Sequence, residues 1–246
     1  MIQDDLPPQP FPAPAAQRLP MQLTKPAATY GLIGVNAFVF VVFMLAQWDL
    51  GLGALTPVAA IAAHQWWRLL TFGFLHAGIL HIGFNLYALY GLGMLTERFF
   101  GRGRFLGIYF TALFGSGVMV TLFSPPGLPT VGASGAIMGL LGALLFFYWK
   151  YRANLSRGRA YLSELVKMAV INIGIGFLPG ISFWGHFGGF LAGALMGWLL
   201  CPAYEYVDNP PMMARRPLEP VDILKALAAP LGLLAVLILG AMLRKG

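Results

Sequence analysis

Four polar side chains lie in the opening turns of long apolar segments, and their types match the parts of a serine hydrolase. Ser134 carries a hydroxyl that could act as a nucleophile, and His186 carries an imidazole that could take its proton. His81 and Asn85 are four residues apart, on one face of a helix, and could donate hydrogen bonds to an oxyanion. Because polar groups are costly inside a bilayer, such residues at membrane depth indicate a functional site.

The composition predicts an all-α polytopic transmembrane helical bundle. Hydrophobic residues make up 58% of the chain and charged residues 10%, with a mean hydropathy of +0.73, whereas soluble domains are about 25% charged. The net charge of +7 comes from basic residues in short loops rather than on one face, which argues against nucleic acid as a partner. The single cysteine, Cys201, excludes an internal disulfide and a multi-cysteine metal site.

The apolar runs predict seven membrane-spanning helices of about 20 residues each. They cover residues 31–48, 81–99, 104–123, 132–149, 165–178, 185–200 and 221–243. The first six form a core over residues 31–200, and residues 201–246 hold a polar loop and the seventh span. Residues 1–30 are rich in proline and lack a long apolar run, which predicts a flexible cytoplasmic tail.

The distribution of lysine and arginine predicts the orientation. Thirteen of the 16 Lys and Arg residues fall on the side that carries the N-terminus, so that side is expected to be cytoplasmic and the C-terminus outside. The second, fourth and sixth spans then run from outside to inside, and the four polar residues share one level. This topology, without a transit peptide, favours a bacterial inner membrane over an organelle.

Glycines predict close contact between the fourth and sixth spans. In the fourth span they are Gly135, Gly139 and Gly142, and in the sixth Gly185, Gly189, Gly193 and Gly197. Such stripes let helix backbones approach closely, so parallel packing could bring Ser134 Oγ within hydrogen-bond reach of His186. Taken singly, Ser134 is more typical of helix packing than of catalysis, and His186 of a helix end at the interface than of a base. His81 and Asn85 taken alone could form interhelical hydrogen bonds. Their occurrence at one level favours catalysis.

These motifs resemble the rhomboid family of intramembrane serine proteases over roughly residues 30–200. The matching elements are Trp67-Arg68, His81-Ile82-Gly83-Phe84-Asn85, Gly132-Ala133-Ser134-Gly135 and Gly185-His186-Phe187-Gly188-Gly189. The seventh span is similar to an additional C-terminal helix of some members. The chain departs from the pattern at Met138, where several members carry a tyrosine that packs on the catalytic histidine.

The resemblance implies a serine-type endopeptidase that uses a Ser134–His186 dyad. The oxyanion would be bound by the Ser134 backbone N–H and the side chains of His81 and Asn85, with Gly132, Gly135 and Gly189 as supporting motif residues. The implied substrates are transmembrane helices of other proteins in the bilayer, and neither a metal nor a cofactor is expected. Because no Asp or Glu lies near that depth in the fourth to sixth spans, a triad is not expected.

Three other classes of membrane protein remain as alternatives. A transporter or channel also has polar residues at membrane depth, but it usually shows repeat symmetry and charged or carbonyl-lined sites. A metal or haem protein could use His76, His81 and His186, although three histidines are a sparse ligand set and leave the serine motif unexplained. A catalytically inactive rhomboid-like protein could bind membrane clients, but such members generally lack the serine or the histidine.

Overall fold

The computed structural model describes residues 21–155, 157–208 and 211–245, and most of these residues are helical. Most of the predicted tail, residues 1–30, lies outside the described residues, and its last part, from Ala27, belongs to the first helix. The α-helices are α1 Ala27–Leu45, α2 Pro57–Ile61, α3 Arg68–Thr71, α4 Ile79–Ala88, α5 Met94–Phe100, α6 Arg102–Phe123, α7 Ser134–Tyr151, α8 Gly158–Ile175, α9 Phe183–Leu199 and α10 Pro220–Lys245. A π-helical segment, Leu89–Gly93, joins α4 and α5 into one continuous helix.

Within the described part of the chain, four helices are long and apolar enough to cross a membrane. They are Ala27–Leu45, Ile79–Phe100, Arg102–Phe123 and Pro220–Leu243. The fold class, an all-α polytopic helical bundle, is therefore confirmed. The assignment of α7, α8 and α9 as three further spans stays a prediction.

The first helix begins at Ala27, four residues before the predicted start, because Glu97 binds its free N–H groups. The carboxylate of Glu97 accepts hydrogen bonds from the backbone N–H of Ala28 (3.0 Å) and Thr29 (2.7 Å) and from the Thr29 hydroxyl (2.8 Å). A negative group at a helix N-terminus satisfies donors that have no partner within the helix. This contact also fixes α1 against the end of α5.

Two other predicted boundaries differ from the structure, and one predicted loop contains strands. The fourth span begins at Ser134 instead of residue 132, because Gly132 has a φ of +120° that no helix contains. The fifth helix covers Gly158–Ile175 instead of 165–178 and therefore ends before the Pro179-Gly180 pair. The loop 201–220 contains an antiparallel hairpin, β1 Tyr204–Asp208 and β2 Pro211–Arg215.

Helix α9 packs against α7 with their glycines in backbone contact. A Cβ on Gly189 would overlap the Gly135 carbonyl, one on Gly193 would overlap the Gly139 backbone, and one on Gly197 would overlap Ala143. The contacts advance in the same direction along both helices, so α7 and α9 are parallel and begin at the same end of the bundle. The predicted contact of the two glycine stripes is therefore present.

The long connection between α1 and α4 is held together by Arg68, one of the residues that carry the resemblance to the rhomboid family. Its guanidinium donates to the carbonyl oxygens of Gly51 (2.6 Å) and Ala54 (2.6 Å) and to Gln65 Oε1 (2.5 Å).

At the other end of the molecule, burial raises the pKa of the Cys201 thiol to about 11. This thiol therefore stays protonated near neutral pH.

Candidate active site

Ser134 is the first residue of α7, and the connection after α1 fixes the segment that leads into it. Leu55 and Thr130 exchange backbone hydrogen bonds of 3.0 and 2.9 Å, and the Gly132 N–H donates to the Phe72 carbonyl (2.9 Å). Ser134 is partly exposed, whereas Gly132 and Ala133 are buried. The serine therefore lies at a helix start whose approach is held by two long-range backbone contacts.

His81 lies directly against the segment that precedes Ser134. A Cβ on Gly132 would come within 2.7 Å of His81 Nε2, so only glycine fits between this ring and the backbone. The other ring nitrogen, Nδ1, accepts a hydrogen bond of 3.4 Å from the Ala77 N–H. In the tautomer that this bond requires, Nε2 carries the proton. His81 thus presents an N–H donor to the peptide segment before Ser134.

Asn85 follows His81 by one helical turn and is buried. Its Nδ2 donates to the His81 carbonyl oxygen at 2.8 Å. An amide nitrogen carries two hydrogens, so one of them remains for a second acceptor. The structure therefore keeps both predicted oxyanion donors on one face of α4.

His186 is buried in the first turn of α9 and is held at two points. Ser182 caps the helix by accepting a hydrogen bond from the Gly185 N–H (3.1 Å), and its carbonyl accepts from the His186 N–H (3.0 Å). The ring nitrogen Nδ1 lies 3.1 Å from the carbonyl oxygen of Asn172 in α8. Because a carbonyl only accepts, Nδ1 carries the proton in this contact, and Nε2 has the free lone pair that a base needs.

The Asn172 carbonyl is available because α8 tightens at its C-terminal end. The N–H of Gly176, which would bond to Asn172 in a regular helix, donates to the Ile173 carbonyl instead (3.1 Å). The sequence does not reveal this group, because the acceptor is a backbone oxygen that no side-chain motif marks. It supports the histidine ring independently of Met138, which is buried in the core.

The structure brings Ser134 to the same level as His186 through their glycine neighbours. A Cβ on Gly135 would lie 3.2 Å from the Gly185 carbonyl oxygen, and one on Gly189 would lie 2.6 Å from the Gly135 carbonyl carbon. The hydrogen bond recorded for the His186 ring within the described part of the chain is the one to Asn172. A direct hydrogen bond between Ser134 and His186 stays a prediction; in enzymes without substrate, such bonds often tighten only when substrate binds.

His76, which the metal-site alternative includes as a ligand, lies in the loop before α4 and packs edge-on against His81, with 5.2 Å between the ring centroids. Burial, and to a lesser extent the neighbouring His81, lowers the pKa of His76 to about 4. His76 is therefore neutral near pH 7 and contributes shape rather than charge.

Comparison with known proteins identifies the fold family. A model of the Rhomboid domain matches residues 63–203, a range that contains His81, Ser134 and His186. The chain is 37% identical to Rhomboid protease GluP of Bacillus subtilis over 175 residues, 69% of this chain and 34% of that protein. It is 38% identical to RHOMBOID-like protein 1 of Arabidopsis thaliana over 163 residues, 64% of this chain and 41% of the relative. It is also 33% identical to Inactive RHOMBOID-like protein 8 of Arabidopsis thaliana over 148 residues, 57% of this chain and 40% of the relative.

These alignments span between about a third and two fifths of the length of the relatives. The domain match covers more than half of this chain and includes the three helix starts that converge at the candidate site. The chain belongs to the rhomboid family.

Proposed function

We propose that this chain is an intramembrane serine endopeptidase with Ser134 as nucleophile and His186 as general base. The observation that supports this function most strongly is the convergence of three helix starts. His81 contacts the segment before Ser134, and the Gly135 backbone contacts the turn that carries His186. An alcohol, an imidazole with a free Nε2 and two N–H donors then lie around one region that is partly open to the outside.

In the proposed reaction, Nε2 of His186 takes the proton of Ser134 as the hydroxyl oxygen attacks a peptide carbonyl. The resulting oxyanion accepts hydrogen bonds from the Ser134 backbone N–H, His81 Nε2–H and the free N–H of Asn85. The protonated His186 then gives its proton to the leaving amine, and an acyl-enzyme forms. Water, activated by the same imidazole, hydrolyses that ester and regenerates Ser134.

The Asn172 carbonyl takes the part that a carboxylate plays in a serine-protease triad. It fixes the Nδ1–H tautomer of His186, and as one of the last carbonyls of α8 it lies at the negative end of a helix dipole. Both effects favour the imidazolium that forms during attack. Since a backbone group is responsible, Asn172→Ala should leave cleavage unchanged. The Asn172 side chain itself donates to the Met168 carbonyl within α8.

The proposed substrates are transmembrane helices of other membrane proteins. Cleavage requires local loss of helix, because a hydrogen-bonded turn hides the carbonyl from a nucleophile. A client with Gly or Pro near the cleaved bond should therefore turn over faster than one with an uninterrupted poly-Leu helix. Equal cleavage of both clients would contradict this requirement.

The proposed topology has six core spans and a seventh C-terminal one in a bacterial inner membrane, with the N-terminus in the cytoplasm. The parallel packing of α7 and α9 supports it, because both helices then enter from the outer side. Fusions of alkaline phosphatase and of green fluorescent protein to the C-terminus test it. We expect the phosphatase fusion to be active and the green fluorescent protein fusion to be non-fluorescent. The reverse pattern would overturn the assignment of the C-terminus to the outside.

The test of the function is fluorophosphonate labelling together with cleavage of a model transmembrane substrate in vesicles. Ser134→Ala and His186→Ala should abolish both signals with folding intact. Ser163→Ala, which removes an exposed hydroxyl from α8, is the matched control and should retain them. Cleavage that survives Ser134→Ala would exclude the proposed mechanism.

The alternative function is a catalytically inactive, client-binding member of the family. It is favoured by the 33% identity to a relative whose name describes it as inactive. A wild-type chain that is neither labelled nor active, yet binds a transmembrane client, would establish this alternative.

A further inference from the structure

A basic cavity of about 290 Å³ lies where α5 ends and α6 begins. Its lining includes Gly101, Arg102, Gly103, Arg104, Arg215 and Leu218. The cavity is remote from the candidate active site. Ser116, which lies beside Gly135, is twelve residues further along α6 than Arg104, a distance of about 18 Å along the helix.

The start of α6 contributes backbone donors to this cavity. Helix α6 begins at Arg102, has no side-chain cap and has no acidic residue in its first turn. Its first backbone hydrogen bond runs from the Phe105 N–H to the Gly101 carbonyl (2.9 Å). The three preceding N–H groups therefore lack a partner within the helix, and the positive end of the helix dipole is not neutralised there.

The three arginines give the cavity its charge, and one of them is buried with an unsatisfied donor. The Arg104 side chain is 5% exposed. Its Nη2 donates to the carbonyls of Arg216 and Pro217, but within the described part of the chain its buried Nε has no hydrogen-bond partner. A buried guanidinium with an unmade hydrogen bond is costly, so this donor is a second sign, independent of the helix start, that an acceptor is missing.

The carboxylates near the cavity do not neutralise its positive charge. Asp222 lies 3.6 Å from Arg104, and Glu97 lies 3.6 Å from Arg102 but already accepts three hydrogen bonds from α1. Arg215 donates to the carbonyls of Arg98 and Phe99 at the end of α5, which fixes the position of its side chain. These carbonyls carry no net charge and do not neutralise the guanidinium. Of the described residues, none that lines the cavity is acidic.

We propose that this cavity binds the phosphate group of an anionic phospholipid. Phosphate oxygens match free helix N–H groups and guanidinium donors. The cavity lies between the end of Ile79–Phe100 and the start of Arg102–Phe123, two helices apolar enough to cross the membrane, and therefore at the depth of lipid phosphates. Leu218, 41% exposed, adds an apolar wall against which a lipid glycerol or acyl chain can lie. In the proposed topology this surface is cytoplasmic.

The sharpest test compares Gly103→Asp with Gly103→Asn. Among the described residues, a Cβ at this position meets Leu218 Cδ1 at 3.1 Å, the end of an exposed side chain that can move aside. An acidic residue in the first helical turn is favourable, so the Asp variant should fold while its carboxylate occupies the place of the phosphate. The two variants differ in one charge and hardly in size.

The full chain is reconstituted in vesicles of equal phosphatidylglycerol and phosphatidylcholine, extracted, and analysed by native mass spectrometry for retained lipid. Wild type and Gly103→Asn should retain phosphatidylglycerol preferentially, and Gly103→Asp should lower that retention about fivefold or more. Equal retention by both variants, or no preference in the wild type, would overturn the proposal.

Two further arms keep the result specific. Arg102→Gln should lower phosphatidylglycerol retention about fivefold, whereas Arg159→Gln, which removes an exposed charge at the start of α8, should change it little. Equal losses would indicate only diffuse attraction and would overturn a defined site. If millimolar inorganic phosphate displaces the lipid completely, the site takes free phosphate, and the lipid assignment is wrong.

Discussion

Replacing Gly189 by alanine should separate the two helices that carry Ser134 and His186. A Cβ at Gly189 would lie 2.6 Å from the carbonyl carbon of Gly135 and 2.9 Å from its Cα. Ordinary van der Waals contact begins at 3.4 Å. Because the atoms in the way belong to backbone, no side chain can rotate to make room, and the helices themselves must move.

The geometry sets the size of the effect. Restoring 3.4 Å to the Gly135 carbonyl carbon requires a separation of at least about 0.8 Å, and the Gly135 carbonyl oxygen lies closer still. The required shift therefore reaches the 1 Å misplacement that typically costs about 100-fold in rate. We therefore expect Gly189→Ala to lower cleavage of a transmembrane substrate about 100-fold. The shift acts directly on the geometry of the proposed dyad, because Gly135 follows Ser134 and Gly189 lies one turn after His186.

Gly197→Ala is the matched control, since it introduces the same methyl group into the same stripe. Its Cβ would overlap Ala143, but eight residues, or about 12 Å, further along α9. Cleavage and fluorophosphonate labelling are measured in vesicles beside the thermal unfolding midpoint. Both variants should be destabilised, but Gly197→Ala should lose far less activity. If Gly189→Ala cleaves at the wild-type rate, or both variants lose activity in proportion to stability alone, the proposed coupling between helix contact and catalysis is refuted.

Three further substitutions follow from single contacts. Gly132→Ala should lower cleavage about 100-fold or more, because φ is +120° and the new Cβ would displace the His81 Nε2–H, a proposed oxyanion donor; Gly83→Ala, with open space around its Cβ, should be near wild type in the same cleavage assay. The pKa of His76 is lowered from 6.5 to about 4, so the unfolded chain binds this proton at a higher pH than the folded chain does. The free energy of unfolding should therefore fall by on the order of 3 kcal/mol as the pH drops through this range. In thermal unfolding measured across this range, His76→Phe should lack this loss of stability. Glu97→Gln should destabilise the protein by about 2 kcal/mol in thermal unfolding, because an amide NH₂ would face the donors of α1, whereas Glu164→Gln, at an exposed ion pair, should change stability by less than about 0.5 kcal/mol.

Features that depend on local composition were predicted from the sequence, and those that depend on a distant partner were not. Apolar runs predicted the long helices and glycine spacing predicted the α7–α9 contact, because each of these signals lies within a continuous segment of sequence. The predicted start of α1 was wrong because the first N–H groups of this helix are bound by Glu97, almost 70 residues away in the sequence. The sequence predicts a loop in place of the hairpin after Leu199, because the two strands are short and partly polar. Site residue types were readable, whereas the Asn172 carbonyl has no sequence signature.

The contact between His186 and Asn172 links the proposed base to a peripheral helix. Much of α8 does not face the bundle, because four of its apolar side chains are at least 40% exposed: Val166, Met168, Val170 and Ile171. The carbonyl that orients the imidazole belongs to the last turns of this helix, next to an irregular connection that contains Pro179 and Gly180. A client helix that pushed the end of α8 outward would break the hydrogen bond to Nδ1, and the ring would lose the tautomer that leaves Nε2 free. Displacement of α8 by an entering client would therefore work against the proposed reaction. The proposed dyad is competent only while α8 stays against α9, so a client must reach Ser134 without moving Asn172, or α8 must move back before cleavage.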